Sequence, residues 1–595
     1  MLVGVRLEED EPSDTLNKRA SALRIVPPLL LTLAAGLICY GMFFNRGLGL
    51  SVIGYSIAPA ERVMQGEVPY RDFLFNYTPG ILWVNAALMK VFGASLMATR
   101  IGLFAFKLIT LLTLFYIARR LTNPWSALVP VVLCLAWPGY QQVFNVYPDQ
   151  YLMLFALAGL ICMLNYDETG SARWLILCGA AIGMVFLFKY NVGVLLLALG
   201  TIAITMRGLM TTRLAGAAKA VALYASGFAV IAAALIAYLA YNHALGAMVG
   251  HFLHHAAEYS EARSVGLPSP TSLLPSAVVV LPPLIFGLLV IVVARRAFEV
   301  YWVAALIFVS LLVLRSTRGK VFNESTLAWA AYFPPLVFIA VTALALWQLK
   351  KNGRAAAAWW HANGAMTITG LFALAVYLEV FPRADYFHLV RVLPPVFMFF
   401  FAILCRYLPV VTEQLRNQVP SPHRAALLIV SAPLVLLVMI GVKHTWEPQF
   451  EQGFRLRDNR ELTIERGRGI FVEDRQAELT EGLVQLIQAN SSKDDYIFSF
   501  AQRGSAFYFL AERRNPTRFL WWRSVGISGE ERDAVMTMIA NRRAKLIIVQ
   551  DVAANREIQD FIGDNYDPIG TVADIAVYGL RKPASDAASN QPPVN

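Results

Sequence analysis

Apolar runs long enough to cross a bilayer recur along most of the chain, separated by short polar stretches rich in proline and glycine. The first, 25–44, follows Lys18, Arg19 and Arg24 and lacks a small-residue cleavage site. It therefore predicts a retained span behind a cytoplasmic N-terminal segment, 1–24. A long first outer loop follows, 45–96. Within it, 51–64 and 81–92 are too short or too interrupted to cross and predict interfacial helices. Further spans fall near 98–118, 125–137, 151–164, 175–188, 192–205, 221–241, 273–293, 301–314, 327–347, 367–380, 389–408 and 425–442. That makes about thirteen, with 151–164 and 175–188 the least clearly bounded.

From 443 onward hydropathy falls and the pattern becomes soluble α/β. It predicts an extended 496–500, helices near 505–512 and 529–541, a β-run at 545–550, a helix near 555–564 and a strand at 575–578. This gives a domain over 443–582 of about 140 residues. The tail 583–595, rich in Ala, Ser, Asn and Pro, predicts disorder. The expected fold class is mainly α: a polytopic transmembrane helix bundle over 25–442 with a small C-terminal soluble α/β domain.

Composition agrees. Of 595 residues 57% are hydrophobic and 15% charged, with a mean hydropathy of +0.53; soluble domains are roughly 45–50% apolar. The net charge of +11 would suggest nucleic acid in a soluble chain. Here the cations punctuate apolar runs: Arg119 and Arg120, Arg207, Arg213 and Lys219, Arg295 and Arg296, Lys350, Lys351 and Arg354, Arg416 and Arg424 mark the predicted cytoplasmic ends. Nucleic acid is excluded as a partner, the lipid bilayer is one, and an odd span count places the C-terminus outside. Arg315, Arg318 and Lys320 break the orientation rule by falling on the outer side, which points to an anion there; anionic lipid headgroups would satisfy the same charges. All five cysteines sit in apolar runs without metal or redox spacing. No phosphate-cradling glycine loop, nucleophile elbow or zinc-protease helix occurs, which disfavours a soluble nucleotide donor and ATP coupling. No cofactor or divalent cation is indicated. His251, His254 and His255 have helical spacing, but only Glu258 and Glu261 stand near them, so a metal reading is set aside.

Candidate chemistry concentrates in the polar, aromatic stretch Gly66-Glu67-Val68-Pro69-Tyr70-Arg71-Asp72-Phe73, continued by Tyr77-Thr78-Pro79-Gly80. It puts a carboxylate beside an arginine at the bilayer edge, where charge is costly and usually has a task. A plain surface pair of Asp72 with Arg71 is the structural alternative.

The segment from Ala60 to Phe73, followed by Tyr77-Thr78-Pro79-Gly80, Phe92-Gly93-Ala94-Ser95 and Arg100, resembles the opening of the GT-C membrane glycosyltransferases. The likeness is to the branch of lipid A and core-sugar transferases and protein O-mannosyltransferase-like enzymes. Tyr147-Pro148-Asp149 and the Gly179…Gly183…Lys189 run are similar to further motifs of that family. The resemblance implies a polyprenyl-phosphate-linked sugar donor, a glycan, lipid or protein acceptor, and inversion at the sugar carbon. It implies Asp72 as base and Asp149 as second acid, though a helix N-cap would also explain Asp149. A donor-phosphate set would comprise Lys189, Arg315, Arg318, Lys320, Arg383 and His388, with Arg391 nearby, while Glu67, Tyr70, Arg71 and Tyr77 would line the substrate side. Snorkelling is the alternative for Lys189. Relatives carry an acidic pair earlier in the loop, where this chain has Val52 and Ile53; its own loop carboxylates are Glu61, Glu67 and Asp72.

The expectation is a glycosyltransferase in the bacterial inner membrane, acting on the outer or periplasmic face. Alternatives are a multispanning lipid or solute transporter, or a polysaccharide polymerase or ligase. A transporter should show ionisable groups deep in its spans and related halves; here the charges gather at one face and no internal repeat is present.

Overall fold

The computed structural model describes residues 12–137, 146–211, 214–253, 353–381, 386–414, 459–501, 503–520, 529–550 and 556–581, with a few single positions elsewhere. Among the described residues seven helices are long and apolar enough to span: Arg24–Gly41, Leu96–Leu121, Pro148–Thr169, Tyr190–Thr211, Ala215–Tyr241, Ala355–Val380 and His388–Pro409. Gly80–Phe92 and Arg173–Phe188 are shorter apolar helices. The spans expected at 273–293, 301–314, 327–347 and 425–442 lie outside the described residues, apart from isolated positions.

Helix ends follow local chemistry. Ser95 accepts the Ala98 N–H at 3.2 Å and caps Leu96–Leu121, whose last turn carries Arg119 and Arg120. Pro148 and Asp149 open the next span, a placement that suits a ring without an N–H and a negative charge near the helix N-terminus. That helix runs past the apolar stretch 151–164 because its last turns hold Asp167 and Glu168. These pair with Arg207 at 2.8 Å and Arg120 at 2.7 Å, towards the C-terminal ends of neighbouring helices.

Arg173–Phe188 and Leu214–Tyr241 cross with their backbones in contact. A Cβ on Gly179 would sit 1.9 Å from the Tyr224 carbonyl oxygen, and one on Gly227 would sit 2.1 Å from that of Ile176. Small residues let membrane helices approach this closely. Gly179→Val is expected to separate the two helices and to lower the yield of monodisperse protein in size-exclusion chromatography; an unchanged profile and melting temperature would refute the contact.

The C-terminal region pairs β1 (Asn459–Glu461) with β2 (Phe471–Glu473) antiparallel. Its main sheet contains β3 (Ile497–Ser499), β4 (Leu546–Val549), β5 (Tyr566–Val572) and β6 (Ile575–Leu580) in the order β3-β4-β6-β5. β3 and β4 run parallel and the other pairs antiparallel. Helix Gly529–Asn541 and strands β3, β4 and β6 occupy the stretches their patterns predict. The hydrophobic pattern predicts neither helix Asp474–Ala489 nor strand β5. The helix hides its apolar face in a polar stretch, burying Ala477, Leu483, Val484 and Ile487 at helical spacing. β5 reads as a turn because of Asp567, Pro568 and Gly570, yet as an edge strand with a register shift it tolerates that proline.

This region sits on the first loop. Phe471 exchanges backbone hydrogen bonds with Asn45 and Gly47 at 2.9 and 2.8 Å, and Leu74 N–H donates to the Arg518 carbonyl at 2.8 Å. Arg62 donates to the Thr517 carbonyl at 3.2 Å, and Arg466 to the Ala94 carbonyl at 2.6 Å and to Glu61 at 2.7 Å. Burial pushes the Glu61 carboxyl up to about 6 despite the opposing charge of Arg466. Burial works against Glu512, the second carboxylate on Arg466, as well, but the Lys493 hydrogen bond and the Arg466 charge outweigh it and hold that carboxyl low. A folded-state value above the unfolded one means that Glu61 stabilises the fold most below the ordinary carboxyl range, about 4.3, with that contribution lost as pH rises through about 6. Thermal unfolding should therefore show a decline across that window that Glu61→Gln flattens; an identical pH profile in the variant would refute the assignment.

Candidate active site

The first loop and the helix ends beneath it meet at one end of the bundle. Arg173–Phe188 and Tyr190–Thr211 form a tight antiparallel pair whose only non-helical link is Lys189, extended at φ −154° and ψ 103°. Thr78 donates to the Phe186 carbonyl at 2.6 Å, and a Cβ on Gly80 would collide with the Leu187 carbonyl oxygen at 2.6 Å. The Tyr77-Thr78-Pro79-Gly80 run is thus seated on the break that displays Lys189. A non-helical break at a bundle end is a usual place to present a polar group.

Lys189 Nζ donates to Asp149 Oδ1 at 2.9 Å and to Glu379 Oε1, and Arg391 Nη1 donates to Asp149 Oδ2 at 2.8 Å. Asp149 comes from the first turn of its helix, Glu379 from the 3-10 turn Leu378–Val380, and Arg391 from the Tyr386–Gln414 helix. Four separate elements therefore converge. Asp149, Lys189 and Glu379 are 4%, 6% and 8% exposed, so their charges are balanced by one another rather than by water. The Lys189 ammonium lies 5.2 Å from the centre of the Tyr77 ring and the Arg391 guanidinium 4.3 Å from that of Tyr147, both favourable cation–π placements.

Asp72 occupies a different setting at the same end. Its side chain is 30% exposed, bonded to Arg71 at 2.9 and 2.8 Å, and accepts the Val68 N–H at 2.7 Å. The Arg71 hydrogen bond, helped by that amide and opposed by partial burial, holds its carboxyl below the usual range. This carboxylate closes the loop's turn. Glu67 pairs with Arg62 at 2.6 Å. Tyr70, at φ 70°, is fully buried and donates its hydroxyl to the Tyr77 carbonyl at 2.5 Å, which ties the turn to the residue above Lys189.

His388 lies in the first turns of the Arg391 helix, half-buried and one turn before it. Arg315, Arg318, Lys320 and Arg383 fall outside the described residues, as do His254 and His255. His251 contacts Asn76 Oδ1 at 3.1 Å, and among the described residues no group of His, Cys, Asp and Glu could hold a metal ion.

Two charged residues of this end had not been singled out. Glu379 is a carboxylate inside the apolar stretch 367–380, and Lys107 a cation in the middle of 98–118, which also holds Arg100 near its start; an ionisable residue within a span was the available signal.

Residues 76–236 match the family model described as dolichyl-phosphate-mannose-protein mannosyltransferase. No protein of curated function matches the chain. Among solved structures, ArnT from Cupriavidus metallidurans bound to undecaprenyl phosphate is 13% identical, with 93% of this chain and 97% of that chain covered and a TM-score of 0.44. The archaeal oligosaccharyltransferase AglB from Archaeoglobus fulgidus, in complex with an inhibitory peptide and a dolichol-phosphate, is 12% identical, with 94% and 75% covered and a TM-score of 0.47. The matched segment contains Tyr77, Asp149 and Lys189, and over it this multi-pass membrane chain is similar to the GT-C glycosyltransferases that its first loop resembles.

Proposed function

We propose that the chain transfers a sugar from a polyprenyl-phosphate-linked donor to a cell-envelope glycan, lipid or protein, at the outer or periplasmic face and with inversion. The observation that carries this reading is the buried convergence of Asp149, Lys189, Glu379 and Arg391 under the Tyr77 end of the first loop, within and beside the segment that matches the family model.

In such a displacement the acceptor hydroxyl oxygen bonds to the anomeric carbon as the bond from that carbon to the phosphate oxygen breaks. The lipid phosphate leaves with both electrons, and the acceptor's proton passes to a carboxylate. The Asp149–Glu379 pair supplies that carboxylate, Arg391 faces the charge that develops on the phosphate, and Asp72 shapes the rim through which the acceptor approaches. The lipid tail stays in the bilayer throughout, so only the head group must reach the site.

The test is to incubate the purified protein in lipid nanodiscs with a panel of polyprenyl-phosphate sugars and envelope acceptors, following donor loss by mass spectrometry. Consumption of at least one donor, with free polyprenyl phosphate as product, is expected; no consumption across the panel would overturn the reading. Asp72→Asn should retain transfer within about tenfold of the parent. A loss as deep as that of an Asp149 variant would return the base's role to Asp72.

A further inference from the structure

The first loop opens on a wide turn. After Leu50–Val52 the chain forms a π-helix over Ile53–Ile57, in which the Ala58 N–H donates to the Ile53 carbonyl five residues back, and it then narrows into the α-helix Ala58–Met64. A π-turn is rare inside helices and recurs at functional sites. Within this one the Ser56 hydroxyl is fully buried and has no hydrogen-bond partner among the described residues. A segment of this kind keeps its shape only where packing from outside over-determines it.

That packing comes from the C-terminal region. Helix Ala506–Leu510 is buried along its whole length and lies against the π-helix. The fit leaves no room at Gly54: a Cβ there would sit 1.9 Å from Ser505 Oγ, 2.7 Å from Ser505 Cβ and 3.0 Å from the Ala506 nitrogen. Turning the Ser505 hydroxyl aside would not clear its own Cβ, so the close approach requires glycine. The next residue reaches the site. From Val52 to Ala60 only Tyr55 keeps exposed surface. Its ring packs on Phe75 at 5.3 Å and edge-on against Tyr77 at 5.7 Å, and its hydroxyl is hydrogen-bonded to the Tyr77 side chain. Tyr77 in turn holds the Lys189 ammonium 5.2 Å from its ring centre. Ser505 on Gly54, Tyr55 on Tyr77 and Tyr77 on Lys189 make one continuous run of contacts from the C-terminal region to the charged cluster.

We propose that Tyr55 is a positioning residue for the transfer: the C-terminal region, seated on Gly54, fixes the π-helix, and Tyr55 in that π-helix holds Tyr77 over Lys189. This rests on the glycosyl-transfer reading and gives the C-terminal region a part in it. The region acts on the rate through the first loop, without a group of its own at the reacting atoms. A displacement of about 1 Å at a reacting site costs about a hundredfold in rate, so loosening this seat slows transfer more than it weakens donor binding. Contact alone does not establish coupling between two sites, and a paired substitution at the seat measures it.

The experiment compares the full chain in nanodiscs as parent, Gly54→Ala, Gly54→Ala combined with Ser505→Gly, and Tyr55→Ala. Two properties are measured: kcat and KM for the polyprenyl-phosphate sugar that the parent consumes, and amide hydrogen exchange over 53–57, 74–80 and 506–518. Gly54→Ala should speed exchange in all three segments and lower kcat by about tenfold to a hundredfold, with donor KM within about threefold of the parent. Ser505→Gly removes both side-chain atoms that the new methyl meets, so the double variant should recover most of both effects. Tyr55→Ala leaves the Gly54 seat intact; it should speed exchange over 74–80 while 506–518 stays protected, and lower kcat to a similar degree. Where Gly54→Ala is not recovered folded, Tyr55→Ala decides the matter. A Gly54→Ala protein that loosens 506–518 at unchanged kcat would make the contact merely structural and overturn the proposal, as would a double variant no better than the single or a Tyr55→Ala protein with the parent's kcat. If the parent transfers sugar and kcat does not move in the variants, the coupling fails and the function stands. If the parent consumes no donor, the function fails, and the coupling stands provided 74–80 loosens in Gly54→Ala and is protected again in the double variant.

Discussion

Replacing Asp149 by asparagine is expected to lower sugar transfer by about a hundredfold or more, the usual contribution of a positioned acid or base. The reason lies in what its two oxygens do. One accepts from Lys189 and the other from Arg391, so the single carboxylate orders both cations as well as standing beside Glu379. An amide of the same shape keeps the volume and one acceptor but removes the charge between two positive groups. Glu379 still faces Lys189, but the buried Arg391 pair loses its negative charge, so a lower melting temperature is expected as well and the rates are compared at a temperature where both proteins are folded. The check is initial rate against donor concentration for both proteins. A loss confined to KM would recast Asp149 as a binding residue, and full activity would remove it from the site.

Replacing Lys189 by methionine should have the larger effect on stability. The ammonium donates to both Asp149 and Glu379, and without it two carboxylates that are each less than a tenth exposed face one another. Breaking a buried pair by deleting one partner typically costs about 3–5 kcal/mol. Lys189→Met should therefore be recovered in low yield, or melt well below the parent. Adding Glu379→Gln should restore much of the loss, since Asp149 keeps Arg391 and the second carboxylate is gone. A single variant as stable as the parent, or a double variant no better than the single, would show that the charges are not balanced as described.

The bundle and the chemistry of the end that carries the charged cluster were legible in the chain to different degrees. Asp149 and Lys189 stood out because each interrupts an apolar run at its end. That they meet could not be read, because hydropathy periodicity says which residues share a helix face and nothing about which helix faces which. Glu379 and Lys107 carry the plainest signal, a charge in the middle of a span, which hydropathy averaging conceals because each sits inside an otherwise regular apolar stretch. Asp72 drew notice as a charge at the bilayer edge; pattern alone does not reveal that Arg71 and the Val68 amide already occupy its oxygens. In the C-terminal region, helix Asp474–Ala489 and strand β5 escaped notice because a polar surface and an edge position both blunt the hydrophobic period.

The pairing of Arg62 with the Thr517 carbonyl joins residues 455 positions apart. A ribosome must therefore make another 455 residues after Arg62 before the loop can receive the segment that covers it. Insertion of the helices and completion of the rim are separate events in time, and the second must wait for the first. A polypeptide cut short ahead of residue 459 would lodge in the membrane with its loop uncovered, so the emergence of the region beyond 459 sets the moment at which this rim can close.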